Sequence, residues 1–271
     1  MRTSLLSLSL LAVALSPAAV SEETPPAPAR LDWTASQRWI HVDTVPSEKV
    51  SVFESARVEW LRELNAHAPP LADGRALFWS ADRGAVTTYF TFYPFAKWSD
   101  LTARGAMIEA TNAAVGKDAL SRYDDRSDAA LVPPHRSEIW VVRPDFAFEA
   151  DPSRPLDETT AAAAWVEFQH DRFDEYDRMT ATWKTVTDAL RQQHFPLTCR
   201  TFRSSYGSGD LVRLWLASDE VALRSAPTLE RAVRRALGRG AGKTLAEYRR
   251  LFPTSERFVI RRRAEMSQMA P

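Results

Sequence analysis

The chain has 271 residues, and its 35 basic side chains balance its 35 acidic ones. Without net charge there is no overall field to draw the protein to nucleic acid or to an anionic membrane, so neither partner is expected. The single cysteine, Cys199, excludes an internal disulfide and a multi-cysteine metal site, and we expect it to be a small buried residue on a strand. Stability must therefore come from an apolar core, which nine tryptophans and 45% hydrophobic residues can supply.

The amino terminus has the three-part pattern of a secretory signal peptide. Arg2 precedes an apolar run from Leu5 to Leu15, which gives way to small residues. That run is too short to cross a bilayer core of about 30 Å as a helix. We therefore expect an exported protein, periplasmic or extracellular, with no integral membrane segment after signal removal. The Pro/Ala-rich residues that follow, 22–35, are expected to form a leader without an ordered core.

Helical and strand periodicities then alternate along the chain. Val50, Phe53 and Trp60 recur at helical spacing after a first strand, and Tyr89 and Tyr93 belong to an alternating strand with two distinct faces. A second helical stretch and a closing strand follow. The order β-α-β-β-α-β is that of the split βαβ, or ferredoxin-like, motif.

The second half repeats the segments of the first half in the same order. The closing strand "SEIWVVR" from Ser137 is echoed by "SERFVIR" from Ser255, and "GKDALSRY" from Gly116 by "GKTLAEY" from Gly242. Collinear repeats of this kind indicate an internal duplication. The duplication predicts that Trp39 corresponds to Trp165 and that Trp60 corresponds to Trp183.

These patterns divide the chain into an ordered series of segments. The predicted boundaries are a signal peptide at 1–21, a disordered leader at 22–35, a first ferredoxin-like unit at 36–144, a linker at 145–160, a second unit at 161–263 and a tail at 264–271. The linker contains two prolines and several acids.

The segment "YFTFYPFAKWSDL", Tyr89 to Leu101, carries a resemblance to a known superfamily. An aromatic strand runs through a proline into a helix, and with the ferredoxin-like order around it the chain resembles the dimeric α+β barrel proteins. Their members include antibiotic-biosynthesis-type monooxygenases, stress-responsive barrel proteins and NIPSNAP-like proteins. The resemblance implies an α+β fold in which two tandem units pack sheet against sheet as a pseudo-dimeric barrel within one chain.

The histidines do not form a zinc motif in the sequence. They are scattered, without an HxxxH or HxH pair, so no metal site is expected. On the first strand, however, His41 shares a face with Asp43, an acid that could orient it. A surface or satisfied core histidine is the alternative. The five are His41, His67, His135, His170 and His194.

Arginines on the strands of the second half are the most unusual feature. Arg213 shares a strand face with Trp215, and Arg257 shares one with Arg261. In a barrel of two packed sheets we expect this face to line an interior cavity that binds an anionic or carboxylate ligand. The alternatives are edge-strand charges or partners of acids across the two halves. Apolar walls are expected from Trp79, Tyr89 and Tyr93.

Two functions remain open at the level of sequence. The first is an exported cell-envelope protein that binds a small hydrophobic or anionic ligand, or a protein partner, in or near the barrel. The second, implied by the resemblance, is a cofactor-independent monooxygenase-like enzyme or a haem-related one, since haem binding occurs among relatives. No catalytic motif is recognised, no cofactor is expected, and a homo-oligomer is possible.

Overall fold

The structure, a computed structural model, describes residues 34–67, 76–133, 135–170, 172–206 and 210–267. The predicted signal peptide and almost all of the predicted leader lie outside these residues. The strands are β1 Gln37–Pro46, β2 Leu77–Asp82, β3 Val86–Phe95, β4 Arg136–Val142, β5 Ala163–Gln169, β6 Thr198–Tyr206, β7 Leu211–Ala217 and β8 Thr254–Arg262. The helices are α1 Val50–His67, α2 Trp98–Val115, α3 Lys117–Ala130, α4 Tyr176–Gln192, α5 Glu220–Ser225, α6 Leu229–Leu237 and α7 Ala241–Leu251.

The strands form one closed antiparallel barrel in the order β1-β3-β2-β8-β5-β7-β6-β4. Each half therefore contributes four neighbouring strands in the same arrangement, β4-β1-β3-β2 and β8-β5-β7-β6. The halves join where β2 pairs with β8 and where β4 pairs with β6. The predicted α+β fold, with two ferredoxin-like arrangements packed as a pseudo-dimeric barrel, is confirmed.

The tryptophan pairs from the two halves occupy corresponding places. Trp39 lies opposite Tyr93 and Ile139 in the sheet, as Trp165 lies opposite Trp215 and Val259. In the helical layer, the ring of Trp60 stacks on Tyr123 of α3, and that of Trp183 stacks on Tyr248 of α7, at centroid separations of 5.3 and 6.3 Å. The two halves are thus built alike in both layers.

The interior of the barrel is a single apolar core to which all eight strands contribute. Alternate residues of each strand point inward, as the period of two requires. Trp140 is central, because its ring meets those of Phe92, Phe168 and Phe202. Among the residues that the structure describes, the centre of the barrel is therefore filled by packed side chains.

The segments that follow the last strand of each half pack onto the opposite half. A 3-10 turn at Pro144–Phe146 buries Phe146 against the second-half aromatics Phe173 and Phe252. The equivalent turn at Ala264–Met266 buries Met266 in the first-half core. The first residues of the predicted tail thus pack in the first-half core. Residues 268–271 of that tail lie outside the described residues.

The linker also packs on the barrel. Its Glu158 forms a buried ion pair with Arg38 of β1, at 3.3 Å between Nε and Oε1, and Leu156 packs on the interior core. The segment predicted as a connector is therefore anchored on the barrel. The domain boundaries themselves stay a prediction.

The second helical stretch of the second half is divided into α5 and α6. Pro227 cannot donate an amide hydrogen to continue α5, and Thr228 Oγ1 accepts a hydrogen bond from the Arg231 amide to start α6. Gly238, with φ at 53°, then ends α6. In the part of the chain that the structure describes, no helix is both long and apolar enough to span a membrane.

Candidate functional site

The arginine-bearing face of the second-half strands points away from the barrel interior. Val212 and Leu214 enter the interior core, whereas Arg213 and Trp215 lie on the outer face beneath the helices. The expectation that this face lines an interior cavity was therefore wrong. Beneath the helices, the outer face of these strands carries the charged side chain of Arg213 among apolar ones.

Arg213 is fully buried, with 0% of its surface exposed, among aromatic rings. Its guanidinium carbon lies 4.0 Å from the ring centroid of Trp183 and 4.3 Å from that of Phe252. Its Nη1 donates to the Tyr248 hydroxyl at 2.6 Å, while Nε and Nη2 have no hydrogen-bond partner. A buried charge with two unused donors is costly unless something offsets it.

Glu167 of β5 is the carboxylate beside this arginine in the sheet. Its cross-strand neighbours are Arg213 on β7 and Arg257 on β8. The Trp215 indole donates to Glu167 Oε2 at 3.0 Å, and Arg257 Nε lies 3.4 Å from Oε1. Arg257 also stacks on Trp165 at 4.5 Å. Glu167 thus has an arginine on each neighbouring strand, and Arg257 is the one within ion-pair distance.

An open cleft of about 370 Å³ lies over this group, between the outer face of β5 and β8 and helices α6 and α7. We call it the Arg257 cleft. Burial raises the pKa of Tyr248, on its wall, to about 12, so its hydroxyl is neutral near pH 7. Sequence reasoning had found Arg257 but missed the helical residues, which carry no motif. The cleft is lined by Glu167, Thr228, Leu229, Glu230, Tyr248, Arg249, Phe252, Thr254 and Arg257.

The other expected site residues lie in different places. Trp79 is buried inside the barrel. Tyr89 is buried on the outer face of the first half, where its hydroxyl donates to Glu54 Oε1 at 2.6 Å. Burial is the main cause of its raised pKa, and the Glu54 carboxylate adds to it. Tyr93, also on that face, packs on Trp39. Arg261 binds Glu220 of α5, with Nε 2.7 Å from Oε2. Their expected ligand contacts stay predictions, but these four residues do not line the Arg257 cleft.

His41 lies at the place in the first half that Glu167 occupies in the second. Its neighbours are Thr91 on β3 and Ser137 on β4. The ring of His135, just before β4, lies 5.7 Å from that of His41, and Asp43 is close to both. The close approach of the Asp43 carboxylate raises the pKa of His41, although burial opposes it. His135 was missed because only the pairing of β1 with β4 brings it to Asp43.

The Arg257 cleft does not fit a haem. Haem iron takes an axial ligand such as His, Cys, Met or Tyr, and no described histidine lines the cleft. The Tyr248 hydroxyl is already bound by Arg213, and Cys199 is buried on β6 with its pKa raised by burial to about 12. The residues present therefore offer no suitable axial ligand there.

No protein-family model matches this sequence, and no curated protein is significantly similar to it. Among solved structures, a mutant chlorite dismutase from Candidatus Nitrospira defluvii has a TM-score of 0.50 at 12% identity, over 85% of this chain and 92% of that one. A candidate monooxygenase from Fusobacterium nucleatum has a TM-score of 0.48 at 8% identity, over 84% of this chain and 92% of the other. At 12% identity the likeness to the chlorite dismutase shows the fold alone.

Proposed function

We propose that this protein binds a small, partly apolar molecule with a carboxylate or similar anionic group in the Arg257 cleft. The observation that carries the proposal is the buried positive charge of Arg213, with two donors unused, directly behind Tyr248 and Phe252 of the cleft wall. An anion in the cleft lowers the energy of that charge through a medium that screens it poorly.

The charges lining the cleft support this choice of ligand. Glu230 is paired with Arg249 and Glu167 with Arg257, so each carboxylate already has its own arginine. The charge of Arg213 is an addition to these two pairs. The cleft therefore carries an excess of positive charge, which suits one anionic group.

The shape and lining of the cleft indicate that the remainder of the ligand is apolar. Leu229, Phe252 and the ring of Tyr248 supply apolar surface, and a volume of about 370 Å³ is near the lower end of the roughly 300–1,000 Å³ usual for small-molecule sites. An aromatic carboxylate has the required charge and size. Benzoate is accordingly the probe that we choose.

Calorimetric titration with benzoate, and with the uncharged benzamide, tests the proposal. We expect saturable binding of benzoate that is at least tenfold tighter than that of benzamide. Arg257→Met should weaken benzoate binding by about 1.5–3 kcal/mol, the usual worth of a hydrogen bond to a charged group.

The matched control is Arg136→Met, because Arg136 also pairs with a glutamate, Glu138, but lines a different cleft at the mouth of the barrel. It should leave benzoate affinity unchanged. Equal affinities for benzoate and benzamide, or an equal loss in both variants, would contradict an anion site at Arg257.

We further propose that the protein acts outside the cytoplasm, in the cell envelope or beyond it. The support is the charged, apolar and small-residue pattern of residues 1–21. Amino-terminal sequencing of protein from the native host should give a mature chain that begins between Ala19 and Glu22. An intact Met1 on protein from the cytoplasm would rule out export.

A further inference from the structure

A cluster of two histidines and one aspartate lies on the outer face of the first-half sheet. His41 and Asp43 are two residues apart on β1 and so point to the same face. Because His41 pairs with Ser137 and Val42 with Arg136, the next step of the register brings His135 beside Asp43. Arg136 points to the opposite face by the same alternation. The cluster therefore follows from the backbone pairing of two strands.

The possible ligand atoms of these three residues converge. His41 Nε2 lies 3.2 Å from Asp43 Oδ1, and His135 Nδ1 lies 3.5 Å from the same oxygen. One ligand atom from each residue can be chosen so that all lie within 4.8 Å of one another. In the part of the chain that the structure describes, this is the one group of three or more such residues that meets this criterion.

The carboxylate oxygen at the centre of the cluster lacks a conventional partner. Asp43 Oδ1 is buried and accepts no hydrogen bond of normal geometry, despite the two nearby nitrogens. The Asp43 side chain is 10% exposed, whereas His41 and His135 are 34% and 51% exposed. An ion can therefore reach the cluster from solvent and meet an oxygen that is already withdrawn from water.

Ser137 fixes the orientation of the first imidazole. Its Oγ lies 3.0 Å from His41 Nδ1. If Nδ1 carries the hydrogen and donates it to this hydroxyl, Nε2 presents its lone pair towards Asp43 Oδ1. Two lone pairs at this distance repel each other unless a proton or a cation lies between them. Metal-binding histidines are commonly held in this way, through the ring nitrogen that does not bind the metal.

We propose that His41 Nε2, Asp43 Oδ1 and His135 Nδ1 bind one divalent first-row transition-metal ion, with Zn²⁺ as the reference ion. Bonds of about 2.1 Å in tetrahedral geometry place neighbouring ligand atoms roughly 3.4 Å apart, close to the two separations found. Imidazole ligands favour such ions over Mg²⁺ and Ca²⁺, which prefer oxygen. Three protein ligands leave a fourth position for water or a substrate.

The proposal is independent of the Arg257 cleft. At the corresponding places of the second half, Glu167 lies between two arginines, and Gln169 donates to Thr254 Oγ1 at 3.3 Å. The second half thus has no imidazole at these places, and the charges beside Glu167 are those of the two arginines. The metal site therefore belongs to the first half alone, and anion binding in the second half can fail without affecting it.

Cobalt titration provides the test. The full mature chain, made without a polyhistidine tag and stripped with a chelator, is titrated with Co²⁺ while its visible absorption is followed. We expect one Co²⁺ per chain, displaced by an equivalent of Zn²⁺ and not by excess Mg²⁺. Asp43→Asn and His135→Ala should each weaken the binding at least tenfold.

His170→Ala is the matched control. His170 Nδ1 lies 3.1 Å from Asp210 Oδ1, a similar histidine–aspartate pair that no third ligand residue joins among the described residues. Its removal should leave Co²⁺ binding unchanged. Because His135 is half exposed, His135→Ala should keep the melting temperature of the metal-free protein, so this variant decides the matter even if Asp43→Asn fails to fold. Absence of one-to-one binding, or full binding by His135→Ala, would overturn the proposal.

Discussion

The outer faces of the two half-sheets carry opposite chemistry at matching positions. In the first half, His41 lies between Thr91 and Ser137 on the neighbouring strands. In the second half, Glu167 lies between Arg213 and Arg257. An imidazole between two uncharged residues suits a metal cation, whereas a carboxylate between two arginines leaves an excess of positive charge.

The barrel interior does not show this difference. Ile40 of β1 and Val166 of β5, which hold corresponding places, are both buried in the same apolar core. A residue inside the barrel touches strands from both halves, so one change is felt by the whole core. An outer-face residue meets mainly the helices of its own half. The comparison indicates that a duplicated barrel can diverge on its outer layers while its shared interior stays apolar.

The largest expected effect comes from truncating the buried Arg213, and Thr91, at the matching place in the first half, is the comparison. Arg213→Ala should lower the free energy of unfolding by about 3–5 kcal/mol, because it removes the stacking on Trp183 and Phe252 and leaves Glu167 with one arginine fewer. Thr91→Ala, at the matching place, should cost about 1 kcal/mol. Urea denaturation of both variants measures this; similar losses would show that the two outer faces are energetically alike.

A smaller effect is expected from exchanging residues between the halves in the interior. Ile40→Val gives β1 the residue that β5 has at the corresponding place, Val166, and should cost about 0.5–1.5 kcal/mol for one buried methylene. The melting temperature of this variant, compared with wild type, checks it. A loss as large as that of Arg213→Ala would mean that one buried methylene inside the barrel matters as much as the buried arginine of the outer layer.

The smallest effect concerns Arg261, which the sequence had suggested as a ligand residue. Hydrogen bonds from Arg261, and to a smaller extent those from Arg224, lower the pKa of Glu220 to about 2. A carboxyl whose pKa is lowered on folding stabilises the protein above its ordinary pKa, and that contribution is lost as the pH falls through the folded value. Melting curves should therefore show a small deficit of Glu220→Gln against wild type near neutral pH, which shrinks between pH 4.5 and about 2. A deficit independent of pH would point to lost packing.

The sequence was sufficient for the fold because periodicity and repetition are local signals. The alternation around Tyr89 and the recurring tryptophans predicted the strands, the helices and the ferredoxin-like order. The assignment of strand faces went wrong at Arg213, since an arginine under a helical layer contradicts the usual apolar pattern and is stabilised by aromatic rings from α4 and α7. His135 needed the pairing of two strands that are far apart in the sequence.

The central claim is that ligand chemistry lies on the outer faces and not inside the barrel. The indole N–H signals of tryptophan in a ¹H–¹⁵N spectrum, followed during a benzoate titration, test it most directly. Trp165 stacks on Arg257 and Trp215 donates to Glu167, so both rings contact residues that line the Arg257 cleft. Trp79 and Trp140 lie in the interior core. We predict saturable shifts of the first two signals and none of the last two. Shifts of Trp79 and Trp140 without change in Trp165 and Trp215 would contradict the account.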